Sequence, residues 1–261
     1  MIFLVNIIVY IISGLLAGIG IGLVGLSAAS IIPPILIVIL GLNAYEAIGI
    51  ALSADVLASG VSTLTYLKNK NVDIKNGTVM MIATVVSTYI ASYFAKFIPN
   101  HVLGGFSVVA TLFLGIKLTV KPINTTKGTN TKHFGKKKQI ILSIIWGTLI
   151  GIICGIIGAG GGVMTLLVLT SILGYDLKTA VGTSIFIMTF NALSGAIAHI
   201  IHGGTNVIAL ICCVIAALIT SRMSAKFANK VNNKTLNKIT GIFLLTFSVI
   251  LIFIKFFGHT I

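Results

Sequence analysis

The spacing of the charges constrains this chain more than any other feature. They cluster between apolar runs, and eight of those runs are long, at about 2–25, 44–67, 76–97, 101–120, 139–158, 177–201, 206–228 and 234–257. A helix rises about 1.5 Å per residue, so runs of about twenty residues match a hydrocarbon core of about 30 Å. Two shorter runs, about 31–41 and 163–174, fall well short of that thickness. Hydrophobic residues make up 57% of the 261, charged residues 8%, and the mean hydropathy is +1.13. A soluble domain carries about 25% charged residues, so lipid is the expected solvent for the outer helix faces.

The net charge of +14 comes from 18 Lys and Arg against four carboxylates, Glu46, Asp55, Asp73 and Asp176. The cations lie between the apolar runs, where they set membrane topology and do not form a nucleic-acid surface. Cys154, Cys212 and Cys213 all lie inside apolar runs without metal-ligand or disulfide spacing, and read as small buried residues. No metal site or cofactor is expected. No Lys or Arg precedes the first run, which reads as a membrane helix and not a signal peptide. Gly-x-Ser-x-Gly, His-Glu-x-x-His, P-loop and Cys-x-x-Cys signatures are all absent, so the chain does not read as an enzyme.

The chain repeats itself. Gly14, Gly18, Gly22, Gly25, Gly41, Ala47 and Gly49 match Gly147, Gly151, Gly155, Gly158, Gly174, Ala180 and Gly182 at a constant offset of 133. Phe94, Ala95, Asn100 and Leu103 meet Phe227, Ala228, Asn233 and Leu236 in the same register. Each half then holds five helices: long, short, long, long, long. The basic, turn-rich stretch 121–138 divides a first repeat, 1–120, from a second, 139–261. If all five helices of each half cross the membrane, the halves are inverted and both termini lie outside. That arrangement puts 16 basic residues inside against Lys96 and Lys255 outside. A parallel arrangement with re-entrant short helices divides them 11 to 7. The positive-inside rule favours the first. The expected fold is an all-α polytopic membrane protein with two inverted-topology repeats of five helices, its 121–138 linker cytoplasmic and the plasma membrane its location.

Inverted-repeat transporters bind substrate near the midplane, where paired short or Gly/Pro-interrupted segments meet. Residues 22–34, GLVGLSAASIIPP, and 155–165, GIIGAGGGVMT, form such a pair. Gly160, Gly161 and Gly162 can gather N–H groups around one point, at the N-terminus of a short helix. Thr165 closes that segment, and Ser27 and Ser30 supply hydroxyls in the first. Pro33 and Pro34 suit a first helical turn. Together these suggest a cradle for a small oxyanion, in which a bulky side chain at Gly161 should displace the anion without unfolding the protein. The upstream glycines, at Gly-x-x-x-Gly spacing, read as helix packing.

Asp55 lies deep in an apolar run, where an ionised carboxylate costs roughly 2.5–3.5 kcal/mol. It is either a proton or sodium site that couples transport, or a structural Asp bonded to Ser53 or Ser59. It aligns with Met188, with Asn191 one turn on. His199 and His202 are expected at the membrane interface.

Residues 147–186, GTLIGIICGIIGAGGGVMTLLVLTSILGYDLKTAVGTSIF, resemble the TauE/SafE family: a glycine-rich helix, a Gly-Gly-Gly turn, a short helix, then Ala-Val-Gly-Thr-Ser. That resemblance adds Thr183 and Ser184 to the candidate site. The first half departs from it, with Leu26-Ser27-Ala28-Ala29-Ser30 at the turn and Ala47-Ile48-Gly49-Ile50-Ala51 at the second element. The resemblance implies a secondary active transporter that exports a sulfur oxyanion or organosulfonate by alternating access. A passive anion channel, or an uptake transporter for another small anion, remains open at this point.

Overall fold

The computed structural model describes residues 2–99, 135–157 and 161–232, with scattered helical positions between 234 and 249. The fifth helix of the first half, nearly all of the linker and Gly160 lie outside the described residues, as does much of the last helix. The described elements are α1 (Ile2–Val24), a 3-10 turn (Ala28–Ser30), α2 (Ile32–Leu40), α3 (Ala44–Lys68) and α4 (Ile74–Ala95). They continue with α5 (Lys136–Ile157), α6 (Gly161–Ser171), α7 (Leu177–Gly203) and α8 (Val207–Lys230). No strand occurs among the described residues. By length and composition α1, α3, α4, α5, α7 and α8 can each cross a bilayer, while α2 and α6 are short. The helices match the sequence expectation within about three residues, and α5 begins inside the end of the basic stretch.

The repeat reappears in the helix boundaries. Asn43 caps α3 by accepting from the Tyr45 and Glu46 N–H groups, and Asp176, 133 residues on, caps α7 through the Thr179 N–H. Asp73 and Asn206 cap α4 and α8 in the same way. Short polar side chains accept at an N-cap whether amide or carboxylate, so the geometry survives the exchange of Asn for Asp. Gly41 and Gly174, also 133 apart, both take left-handed φ, 65° and 75°. These are conformations that glycine adopts without a Cβ penalty.

Packing exchanges the halves. Gly14, Gly18 and Gly22 of α1 lie on Cys213, Ala217 and Ser221 of α8. The equivalent Gly147, Gly151 and Gly155 of α5 lie on Met80, Thr84 and Thr88 of α4. A Cβ at Gly14 would come within 2.5 Å of the Cys213 carbonyl, so these glycines permit close helix approach, as their spacing suggests. Hydroxyls bridge the same seams: Ser224 donates to the Gly18 carbonyl (3.0 Å) and Thr88 to the Gly151 carbonyl (2.9 Å). Both seams are parallel, since residue numbers rise together along each.

α3 and α7 form the centre and run antiparallel. Gly49 faces His199, Leu52 faces Gly195, and the Gly182 end of α7 faces Tyr66. Of their most apolar stretches 67% and 61% is buried, against 33 to 39% for α1, α4, α5 and α8. Those four turn large apolar residues such as Ile8, Val86, Ile144 and Ile215 outward, as helices bathed in lipid do.

The α3–α4 turn docks onto the start of α7. Asp73 accepts from the Tyr175 hydroxyl at 2.9 Å, and its N–H donates to Thr183 Oγ1 at 2.9 Å. Burial pushes the Asp73 carboxyl up, but hydrogen bonds from Asn76 and Tyr175 and the nearby Lys75 outweigh it and hold the group below the usual carboxylate range. The Tyr175 phenol is pushed up, first by burial and then by Asp73.

Candidate functional site

α1 stops at a left-handed Gly25, φ 71°. The Gly25 N–H returns to the Ile21 carbonyl, an αL-type helix ending, and the Leu26 N–H reaches the Gly20 carbonyl. The chain then turns toward the short helix α2. Ser27 caps the 3-10 turn through the Ala29 N–H (3.2 Å), and α2 starts with Pro33 and Pro34 in its first turn. Proline sits there without losing a helical bond.

Asp55 of α3 receives this segment. Its Oδ2 lies 2.5 Å from Ser27 Oγ, and its Oδ1 accepts from the Ala28 N–H at 2.6 Å. All three residues are buried, and Asp55 has no exposure at all. The alternative partners weighed from sequence go elsewhere. Ser53 Oγ donates to the Gly49 carbonyl, and Ser59 Oγ to the backbone carbonyl of Asp55. A carboxylate in front of an exposed N–H and a hydroxyl is the arrangement a bound anion would make. In the first half that place is filled by the protein's own side chain.

The second half is built differently at the same positions. Met188 stands where Asp55 does. The α-carbon of Gly161 faces Cys154 Sγ and Asn191 Nδ2, where a Cβ would come within 3.1 and 3.2 Å. Asn191 Oδ1 accepts a hydrogen bond from Thr88 Oγ1, and the Cys154 thiol interacts with Asn191 and the Gly161 backbone. Thr165 Oγ1 donates to the Gly161 carbonyl at 2.5 Å. A side chain at Gly161 would therefore press on Cys154 and Asn191, which would have to give by a few tenths of an ångström to admit it.

The two broken segments touch. A Cβ on Gly162 would overlap the Gly25 carbonyl oxygen and lie 2.8 Å from Met188 Sδ. Ser184 Oγ lies across from Gly25, and donates to the Val181 carbonyl. The structure thus gathers Ser27, Asp55, Gly161, Gly162, Ser184 and Asn191 around the junction of the two segments. Ser30 and Thr165 are buried on the segments themselves. Thr183 is different: its hydroxyl holds the α3–α4 turn through the Asp73 N–H.

Thr88 and Cys154 join the site without having been singled out from sequence. Each looks like an ordinary small residue of a packed membrane helix, and only the packing of α7 against α4 and α5 brings Asn191 to them. Beside the junction, Thr189 Oγ1 meets Ser59 Oγ at 2.9 Å and Thr63 Oγ1 at 3.4 Å, a partly buried hydroxyl cluster between the halves. His199, expected at the interface, is fully buried and stacked on Tyr45, because α7 extends past it to Gly203 and Gly49 of α3 leaves room for the ring. His202 does lie at the exposed end. The three cysteines form no disulfide, and Cys154 and Cys213 are buried.

Known proteins agree with this construction. The chain is 26% identical over 218 residues to the probable membrane transporter protein YunE of Bacillus subtilis (strain 168), covering 76% of this chain and 80% of that protein. The probable membrane transporter protein YdhB of the same organism is 21% identical over 196 residues, covering 75% and 80%. No solved structure is significantly similar. The sequence profile described as "Sulfite exporter TauE/SafE" matches residues 10–251. Two repeats of helices with buried broken segments, and a profile match across nearly the whole chain, lead to one conclusion: this membrane protein belongs to the TauE/SafE family.

Proposed function

We propose that the chain is a secondary active transporter of a small anion, a sulfur oxyanion or organosulfonate such as sulfite or sulfoacetate, which it exports by alternating access. The observation that carries this reading is the contact of the two broken segments at Gly25 and Gly162, with Asp55 holding one of them. Paired broken helices at a repeat interface are the structural signature of a transporter's central site.

The substrate's charge is bound on the second segment, by the Gly160, Gly161 and Gly162 N–H groups, with Asn191 and Thr165 beside them. Ser184 opposite Gly25, with Ser27 and Ser30, completes the lining from across the junction, and Thr183 steadies it from the α3–α4 turn. The first segment needs no external anion, because Asp55 already satisfies it. A proton or sodium ion on Asp55 weakens that grip, frees the Ala28 N–H and the Ser27 hydroxyl, and so couples a gradient to movement of the first segment.

The two halves are inverted in the plasma membrane, with both termini outside and the 121–138 linker in the cytoplasm. The 16-to-2 division of basic residues supports this, as does the antiparallel crossing of α3 and α7, since corresponding helices of inverted repeats run in opposite directions.

Purified protein tested against sulfite, sulfate, thiosulfate, sulfoacetate and taurine should show a rise in melting temperature with one or more sulfur anions. Absence of any shift with all five would remove the sulfur-anion assignment. In vesicles, flux that ignores an imposed pH or sodium gradient would make the protein a passive channel.

A further inference from the structure

His199 occupies the position in α7 that Tyr66 occupies in α3, 133 residues earlier. Each reaches into the last turn of the helix that precedes its half's broken segment. Tyr66 Oη donates to the Gly22 carbonyl at 3.3 Å, and His199 Nε2 lies 3.4 Å from the Gly155 carbonyl. Gly22 and Gly155 are themselves 133 apart. Both oxygens lie close to the described ends of their helices, where a side chain from outside can supply a donor.

The two donors are not equivalent. A phenol gives its one proton and is satisfied. An imidazole has a second nitrogen, and His199 Nδ1 lies 3.1 Å from the Tyr45 carbonyl. Both oxygens can only accept. A neutral ring carries one N–H and satisfies one of them, whereas an imidazolium satisfies both. The added charge would sit at the C-terminal end of α5, where the helix dipole is negative. It would also lie under the Tyr45 ring, stacked at 4.0 Å between centroids.

A route for the proton is present. Tyr45 and His202 line a cleft of about 610 Å³ together with Glu46 and Lys96. Tyr45 therefore forms a wall of the cleft and one face of the buried imidazole. The groups facing His199 are the Tyr45 ring and carbonyl and the Gly49 α-carbon from α3, the Gly155 carbonyl from α5, and His202 from α7 itself. Of these the Tyr45 phenol and His202 titrate, and Glu46 and Lys96 are the charged groups of the cleft beyond them.

We propose that His199 is a proton-binding latch. A proton taken from the cleft gives the ring its second N–H and ties α7 to the last turn of α5, just before the broken segment that carries Gly161. Loss of the proton frees the Gly155 carbonyl and that segment with it. Tyr66 is the permanent form of the same tie in the first half. The role in transport rests on the function proposed above.

Two measurements on the full chain test it. In nanodiscs with 15N-labelled imidazoles, assigned by the signal lost in His199→Gln, the His199 ring should pass from one tautomer to a doubly protonated form as the pH is lowered from about 8 to 4. A ring that stays a single neutral tautomer throughout overturns the latch. In proteoliposomes loaded with radiolabelled sulfite, His199→Tyr, which installs the counterpart residue, should flatten a rate that changes by up to about tenfold per pH unit in the unmodified protein. His199→Gln should flatten it too, and serves if the tyrosine variant does not fold. Unchanged pH profiles in the variants overturn the latch as well. Should the unmodified protein move none of the five sulfur anions, the substrate reading fails, and the imidazole titration alone decides the latch.

Discussion

Where the first half closes its broken segment with a charge, the second closes it with an amide, a thiol and a thioether. Asp55 meets Ser27 and Ala28, whereas Asn191, Cys154 and Met188 meet Gly161 and Gly162. The same inequality recurs one turn away, with a phenol on Gly22 and an imidazole on Gly155. The N-caps of the central helices and the left-handed glycines after the short helices recur in both halves, but the first half enters α2 through a 3-10 turn at Ala28–Ser30 whereas α6 starts directly at Gly161. A duplicated scaffold can divide its labour in this way. One half carries an internal carboxyl group, and the other has Met188 at the equivalent position.

That comparison can be broken by mutation, and Asp55→Ala should do so most severely. It removes the acceptor of the Ser27 hydroxyl and of the buried Ala28 N–H, at about 1–3 kcal/mol each, and the melting temperature in detergent should fall accordingly. Met188→Leu, at the equivalent position, keeps its volume and should cost less than about 1.5 kcal/mol. Equal losses would mean that the charge does not hold the first segment.

Gly162→Ala should rank next. Its Cβ would overlap the Gly25 carbonyl, so the segments must part, at about 1–3 kcal/mol. Gly161→Ala presses only on side chains and should cost less. If Gly162→Ala matches the parent in thermal stability, the two segments are not in contact.

Asn191→Ala leaves the Thr88 hydroxyl without its side-chain partner, although that hydroxyl also donates to the Gly151 carbonyl. A loss of about 1 kcal/mol is expected, together with weaker anion-induced stabilisation. Undiminished ligand stabilisation would remove Asn191 from the site.

The smallest contrast is between the N-caps of α4 and α8. Asp73 is held below the usual carboxylate range, so its contribution is present above the unfolded value of about 3.9 and is lost as pH falls through the folded value. Asp73→Asn should remove that acid-side decline and change stability at neutral pH by about 1 kcal/mol or less. Asn206→Ala should cost a similar amount at every pH. An acid decline that persists in Asp73→Asn would place its origin in another group.

Much of this arrangement was legible in the sequence because it is periodic. The 133-residue offset and the Gly-x-x-x-Gly seams follow from spacing alone, and they reappear as the α1–α8 and α4–α5 contacts. The broken segments could be found because glycine and proline interrupt apolar runs. The partners were not legible. Asp55 finds Ser27, 28 residues away, and not the serines on its own helix, because a serine four residues along bonds to helix carbonyls, as Ser53 and Ser59 both do. His199 looked interfacial by its distance from the end of the run. Its burial depends on the antiparallel neighbour α3, which hydropathy does not report. Thr183 fitted a motif, yet its hydroxyl is engaged at the α3–α4 turn.

The central claim is that Asp55 couples an ion gradient to the movement of an anion, and Asp55→Asn tests it most directly. The amide preserves size and can still meet Ser27, so the protein should fold and bind its anion. In reconstituted vesicles with an imposed pH or sodium gradient, this variant should lose gradient-driven accumulation while keeping anion exchange. Gradient-driven flux equal to that of the unmodified protein would contradict the account and leave Asp55 as a structural support of the first segment.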